Sequence, residues 1–192
     1  MGAYYYLISQ LPHLLYAQKP PMTSSAFMDL VLPLLSEQDA DLMKLLSISG
    51  EPLSNDGTVL GTGCKFIDDW REWDRALRLN LAKHRSIKCG HDSPISAEPP
   101  SVPADAATLA AKAVNSAATP LEGEITIDKA RWDAIGTLAG NDYFDRNNVF
   151  AYFLKLSLLE RRQSFDAVKG LTEYKSLYVS IMENARQIGR PE

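Results

Sequence analysis

The sequence predicts an all-α protein. Apolar side chains recur at steps of three and four in several separate stretches, the signature of helices that bury one face. The gaps between those stretches carry helix-capping and helix-ending residues: Ser, Thr, Asp and Asn before, Gly or Pro after. The 192 residues are 45% hydrophobic and 23% charged, an ordinary globular balance that fits a single domain over residues 1–192. Six to seven amphipathic helices are expected, closing on an antiparallel helical hairpin.

The opening run, MGAYYYLIS, is aromatic and β-branched, and suggests a short strand or buried extended segment. Helix is the competing reading, because so short an apolar run does not fix its own period. Pro20-Pro21 ends this segment, and Thr23, Ser24 or Ser25 can cap a helix over 25–35 that Pro33 kinks or ends. Ser36, with Asp39 three residues on, caps a second helix over about 37–47. Residues 49–64 are rich in Gly, Asn, Asp and Pro and read as a loop.

The third helix is the clearest. Phe66, Trp70, Trp73, Leu77, Leu81 and His84 fall on one narrow stripe at 100° per residue, which places a helix over about 65–87 and its end at Gly90. Residues 92–104 hold four prolines in a polar context. They read as an exposed linker between an N-terminal lobe (1–91) and a C-terminal lobe (105–192). An alanine-rich helix follows over 104–118. Asp128 is the expected cap of a helix ending at Gly140. Asn147 or Asn148 is the expected cap of the next, which runs to about 163. After a break over 164–170, Leu171, Tyr174, Tyr178, Ile181 and Ala185 mark a final helix over about 171–187.

Charge and composition narrow the chemistry. The net charge of −4 gives no global basic field for nucleic acid or anionic lipid. Two cysteines make no disulfide framework and fit a reducing compartment. No stretch reaches the 18 or so apolar residues of a membrane span, and the N-terminal run lacks the basic start of a signal peptide, so a cytoplasmic protein is expected. Cys64, Cys89, His84 and His91 lack the two close ligand pairs of a zinc site. A small hydrolase using Cys64 or Cys89 with a histidine is the enzymatic alternative. Gly57, Gly61 and Gly63 before Lys65 resemble a phosphate loop in composition only, since the Gly-Lys-Ser/Thr ending is missing. Asp68, Asp69, Glu72 and Asp74 lie on scattered faces of the third helix. No catalytic residue, cofactor or metal is therefore assigned. Arg71, Arg75, Arg78 and Arg85 do share a helical track, off the tryptophan stripe, and are the candidate partner-binding residues for an acidic protein surface. The bland alternative is a solvated face paired as Asp68–Arg71, Glu72–Arg75 and Asp74–Arg78. Tyr4, Tyr5 and Tyr6 cannot all face inward, so at least one is expected at the surface or an interface.

Four stretches carry a resemblance. They are Tyr4-Tyr5-Tyr6-Leu7 with Leu11-Pro12; Trp70-Arg71-Glu72-Trp73 with Leu77-Arg78-Leu79-Asn80-Leu81-Ala82 and Arg85; Ala130-Arg131-Trp132; and Phe150 to Leu156 with Glu160-Arg161, Phe165-Asp166 and Lys169-Gly170. Together they resemble a bacterial family of unknown function encoded in operons for the V/A-type ATPase. Several of the patterns are also similar to the all-helical C-type subunit of such ATPases, which is much longer. The resemblance implies a non-catalytic component of that complex, either a coupling or structural element like a shortened C-type subunit or an assembly factor. It would touch the membrane only through ATPase subunits. It brings no catalytic residues with it.

Overall fold

Every regular element among the described residues is helical in the computed structural model, which describes residues 4–16, 18–48, 61–91, 106–165 and 167–188. The expected linker over 92–104 and most of the expected loop over 49–64 lie outside those residues. Eight α-helices and one 3-10 turn are present among them.

The N-terminus corrects the first expectation. Tyr5–Gln10 form a helix, α1, not a strand. Its aromatic run turns only Leu7 inward and leaves Tyr5 and Tyr6 exposed. Tyr4 fixes the helix start: its N–H donates to Phe144 O at 3.2 Å, and its hydroxyl donates to Asp39. Extended backbone begins only at Leu11, where the following Pro12 disfavours helix.

Thr23 caps α2 (Ser24–Val31), accepting the Ala26 N–H at 3.1 Å. The helix tightens into a 3-10 turn, Leu32–Leu34, at Pro33, which has no N–H to give. Ser36 caps α3 (Glu37–Lys44) through the Asp39 N–H, as the sequence predicts. The long helix α4 (Lys65–Lys88) buries the predicted Phe66–Trp70–Trp73–Leu77–Leu81 stripe, leaving His84 half-buried near its end. Gly90 closes it with φ +77, a conformation side chains resist.

Helix α5 (Ala106–Asn115) packs its small residues Ala110 and Ala113 against α4 and α6. The approach is close. A Cβ on Gly123 would stand 2.9 Å from the Ala113 carbonyl oxygen. Helix α6 (Pro120–Ala139) starts eight residues before the expected Asp128 cap. Thr119 is the true cap, accepting the Glu122 N–H at 3.2 Å, with Pro120 at the first helical position. Asp128 is buried mid-helix instead.

Helix α7 (Arg146–Gln163) is entered from Asp145; neither Asn147 nor Asn148 caps it. Asn148 instead donates to Asp142 O at 2.6 Å and holds the preceding turn. Phe27 and Tyr152 stack at 5.0 Å between α2 and α7, and Phe66 meets Phe150 at 6.2 Å between α4 and α7. The Tyr152 hydroxyl donates to Pro12 O at 2.9 Å, and burial pushes its pKa up to about 12. Buried residues from Tyr4 to Leu159 form one core.

A short break at Ser164 and Phe165 leads to α8 (Ala167–Ile188), which begins four residues earlier than expected. Its apolar stripe is not covered: every residue from 170 to 182 is exposed. Helix α7 already buries its apolar side chains against α2 and α6.

Candidate functional site

Three features stand out on this scaffold: a buried line of charges, an aromatic cluster at the N-terminal end, and the bare face of α8.

The line of charges joins α4, α6 and α7. Asp74, on the inner side of α4, pairs with Arg78 Nε at 2.9 Å and accepts Arg131 Nε at 3.0 Å. Arg131 Nη1 reaches Asp128 one turn before it, at 3.4 Å. Asp128 also accepts Arg161 Nη1 at 2.9 Å. Arg161 Nη2 pairs with Glu124 at 2.9 Å, and Glu124 meets Arg85 at 3.3 Å. Signs alternate throughout, so each buried acid has a cation on both sides. Burial nevertheless raises the Asp128 carboxyl above its ordinary pKa, outweighing the pull of Arg161 and Arg131. The network links α4, α6 and α7 through ion pairs. Sequence reasoning missed it. Its local signals are the Asp128/Arg131 spacing of three and the Asp74/Arg78 spacing of four.

The arginine track is thereby divided. Arg71 Nη2 donates to Leu45 O at 3.1 Å and ties α4 to the end of α3. Arg78 belongs to the charge line, and Arg75 is half-buried. Arg85 is the exposed member of the four, its side chain 56% accessible. Of the expected pairs, Asp74–Arg78 forms; Asp68 accepts the Thr62 N–H and hydroxyl at 2.8 Å each, ahead of α4.

The thiols lie at opposite ends of α4. Cys64 precedes the helix and is buried; Cys89 follows it and is exposed. At 1.5 Å per residue, Cys64 is on the order of 30 Å from His84 and farther from His91. That separates Cys64 from His84 and His91. Cys89 does not line the neighbouring cleft of about 330 Å³, whose polar groups include Arg85, Lys88, Thr119 and Glu124. Lys88 Nζ is engaged there by Val114 O at 2.8 Å. Among the described residues, no group of three or more His, Cys, Asp or Glu side chains could hold a metal, and no helix is long and apolar enough to cross a membrane.

At the N-terminal end, Tyr5 packs against Phe144 with ring centroids 4.5 Å apart. This brings the turn carrying Tyr143 to α1, and Tyr5, Tyr6 and Tyr143 are 63, 70 and 71% exposed. Their base is firm. Asp39 takes hydrogen bonds from Tyr4 and from Arg146, the latter at 3.3 Å. Burial alone would raise the Asp39 carboxyl, but the hydrogen bonds from Tyr4, Ser36 and Arg146 together hold it below its ordinary value. Burial, with Asp39 beside it, raises the Tyr4 hydroxyl.

Comparison with known proteins adds one match. Residues 107–185 match a family described as a protein of unknown function, DUF2764. The matched stretch contains Glu124, Asp128, Arg131 and Arg161 of the charge line and most of α8. No curated protein and no solved structure matches the chain.

Proposed function

We propose that this chain is a non-catalytic docking component of a V/A-type ATPase, in the position of a coupling or structural element like the C-type subunit. The observation that carries the docking role is the aromatic cluster. Tyr5 and Tyr6, exposed on a braced helix end beside the turn that carries the exposed Tyr143, are costly to leave in water and suited to a protein interface, where rigid amphipathic rings contribute most. The resemblance of the opening Tyr4-Tyr5-Tyr6-Leu7, and of the stretches on α4 and α7, to proteins from ATPase operons supplies the partner. Arg85 adds a cation at the far end of α4 for an acidic surface, while Arg71, Arg75 and Arg78 act from within the fold. Membrane contact comes through the complex.

The test is a pull-down from native membranes carrying the ATPase, comparing the parent with Tyr5→Ser/Tyr6→Ser. Both side chains are exposed, so the variant should keep the parent's helical circular dichroism. ATPase subunits should co-purify with the parent and fall at least roughly tenfold with the variant, the loss expected for interface aromatics worth more than ~1 kcal/mol. No ATPase subunit retained by the parent, at low or high salt, overturns the proposal. Equal retention by both proteins removes the aromatic cluster from the interface.

A further inference from the structure

The geometry points to α8 as a homodimerisation helix: we propose that its exposed apolar face pairs with the same face of a second copy of this chain, antiparallel and about a two-fold axis. This goes beyond the docking role above and does not depend on it.

Spacing is the first argument. Leu171, Tyr174, Tyr178 and Ile181 follow one another at steps of three, four and three, a heptad seam with those residues at the a and d positions. Leu177 and Met182 flank the seam and widen it. Such spacing lets the face meet another helix along a narrow seam. The structure shows it bare: Leu171, Tyr174, Leu177, Tyr178 and Ile181 are all more than half exposed, and Met182 is 41% exposed.

Area is the second argument. Side chains of this size expose roughly 100–150 Å² each at such fractions, so the six offer on the order of 700 Å² per copy, close to the ~800 Å² per partner of a stable interface. An isologous pairing centred near Ser176 draws on most of it. Leu171 then lies against Ile181 of the other copy, and Tyr174 against Tyr178, with each contact occurring twice. Tyr174 and Tyr178 already pack along their own helix with ring centroids 6.4 Å apart, so the two rings form one contiguous aromatic patch.

Charge is the third. Among residues 170–182 the charged side chains are Glu173 and Lys175, and neither lies on the seam. No like charges oppose each other when two copies meet. The same count disfavours a bilayer as occupant, because helices that lie on anionic membranes carry a Lys/Arg-rich polar face.

Sedimentation equilibrium of the whole chain across the micromolar range tests this, with Leu177→Glu/Ile181→Glu as the comparison. Both positions are exposed in the single chain, so unchanged thermal unfolding shows that the body still folds, and unchanged helical circular dichroism shows that α8 persists. The parent should be a dimer whose dissociation constant rises at least roughly hundredfold in the variant, as two charges enter an apolar seam. A parent that stays monomeric throughout, or a dimer that survives the double substitution, overturns the proposal. So does a monomer that floats with phosphatidylserine vesicles, which would assign the face to lipid. The outcome is independent of whether an ATPase is bound.

Discussion

Arg131→Met is the sharpest perturbation of the charge line. Arg131 is 6% exposed and stands between two carboxylates, Asp74 at 3.0 Å and Asp128 at 3.4 Å, that are still more deeply buried. At an effective dielectric of about 20, each contact is worth about 5 kcal/mol of gross attraction, most of which offsets the desolvation of the three groups. Methionine keeps the stem's packing and removes the charge. Each acid then retains one cation, Arg78 for Asp74 and Arg161 for Asp128. The loss should therefore fall at the low end of the range for a broken buried pair, about 3 kcal/mol. For a chain of this length that is a drop in Tm of roughly 6–12 °C. Urea unfolding followed by tryptophan fluorescence reads it, since Trp70 and Trp73 lie on α4 and Trp132 adjoins Arg131. The deficit also depends on pH. Without Arg131 the folded-state pKa of Asp128 rises further above its unfolded value, so the folded variant binds the proton more tightly. The deficit is then full at neutral pH and shrinks as pH falls toward about 4. A loss under about 1 kcal/mol at neutral pH, or a deficit that grows in acid, would refute the view that these charges hold the helices in register.

Two further perturbations probe the scaffold. Gly123→Ala should destabilise by about 1–3 kcal/mol in urea unfolding, because its Cβ would press on the Ala113 carbonyl at 2.9 Å and wedge α5 from α6; Gly136→Ala, whose Cβ meets the movable Lys155 ammonium at 3.3 Å, should instead be neutral or gain up to about 1 kcal/mol of helix propensity. Equal effects at the two glycines would mean that close α5–α6 packing is not limiting. Asp39 has a depressed folded-state pKa, so its stabilisation is present above its unfolded value of 3.8 and is lost as pH falls through the folded one. Asp39→Asn should therefore lower Tm at pH 7 and converge on the parent as pH falls through the folded-state value, and a constant gap from pH 7 into acid would contradict the assignment.

What the sequence reveals depends on where the polar residues go. Helix α4 is legible because its inner face is apolar at nearly every turn, from Phe66 to Leu81. The start of α6 is not, because its inner face holds Gly123, Asp128 and Arg131, which break the apolar period where the helix is buried. The Thr119-Pro120 cap is in plain view, but Asp128 stands nearer to the visible apolar pattern and competes with it as a helix start. The charge line joins Arg131 to Asp74, 57 residues away, and Arg161 to Asp128, 33 away. Only tertiary structure brings such partners together. Of the arginine track, spacing shows the common helical side but not the Leu45 carbonyl or Glu124 that engage Arg71 and Arg85. For α8, periodicity establishes an apolar face but not whether this chain covers it.

The bare helix also divides the molecule's stability into two quantities. From α1 to α7, each helix is held by a shared core and unfolds with it. Residues 170–182 of α8 bury nothing in that core, so their helix rests on backbone hydrogen bonds and intrinsic propensity, which in water are marginal. Opening this segment exposes little new apolar surface, so it is nearly silent in denaturant slope and heat capacity. A melting temperature followed by tryptophan fluorescence therefore describes only the body, where Trp70, Trp73 and Trp132 all reside. The segment obeys its own local equilibrium, one that shifts with protein concentration if copies pair and with nothing else in the fold.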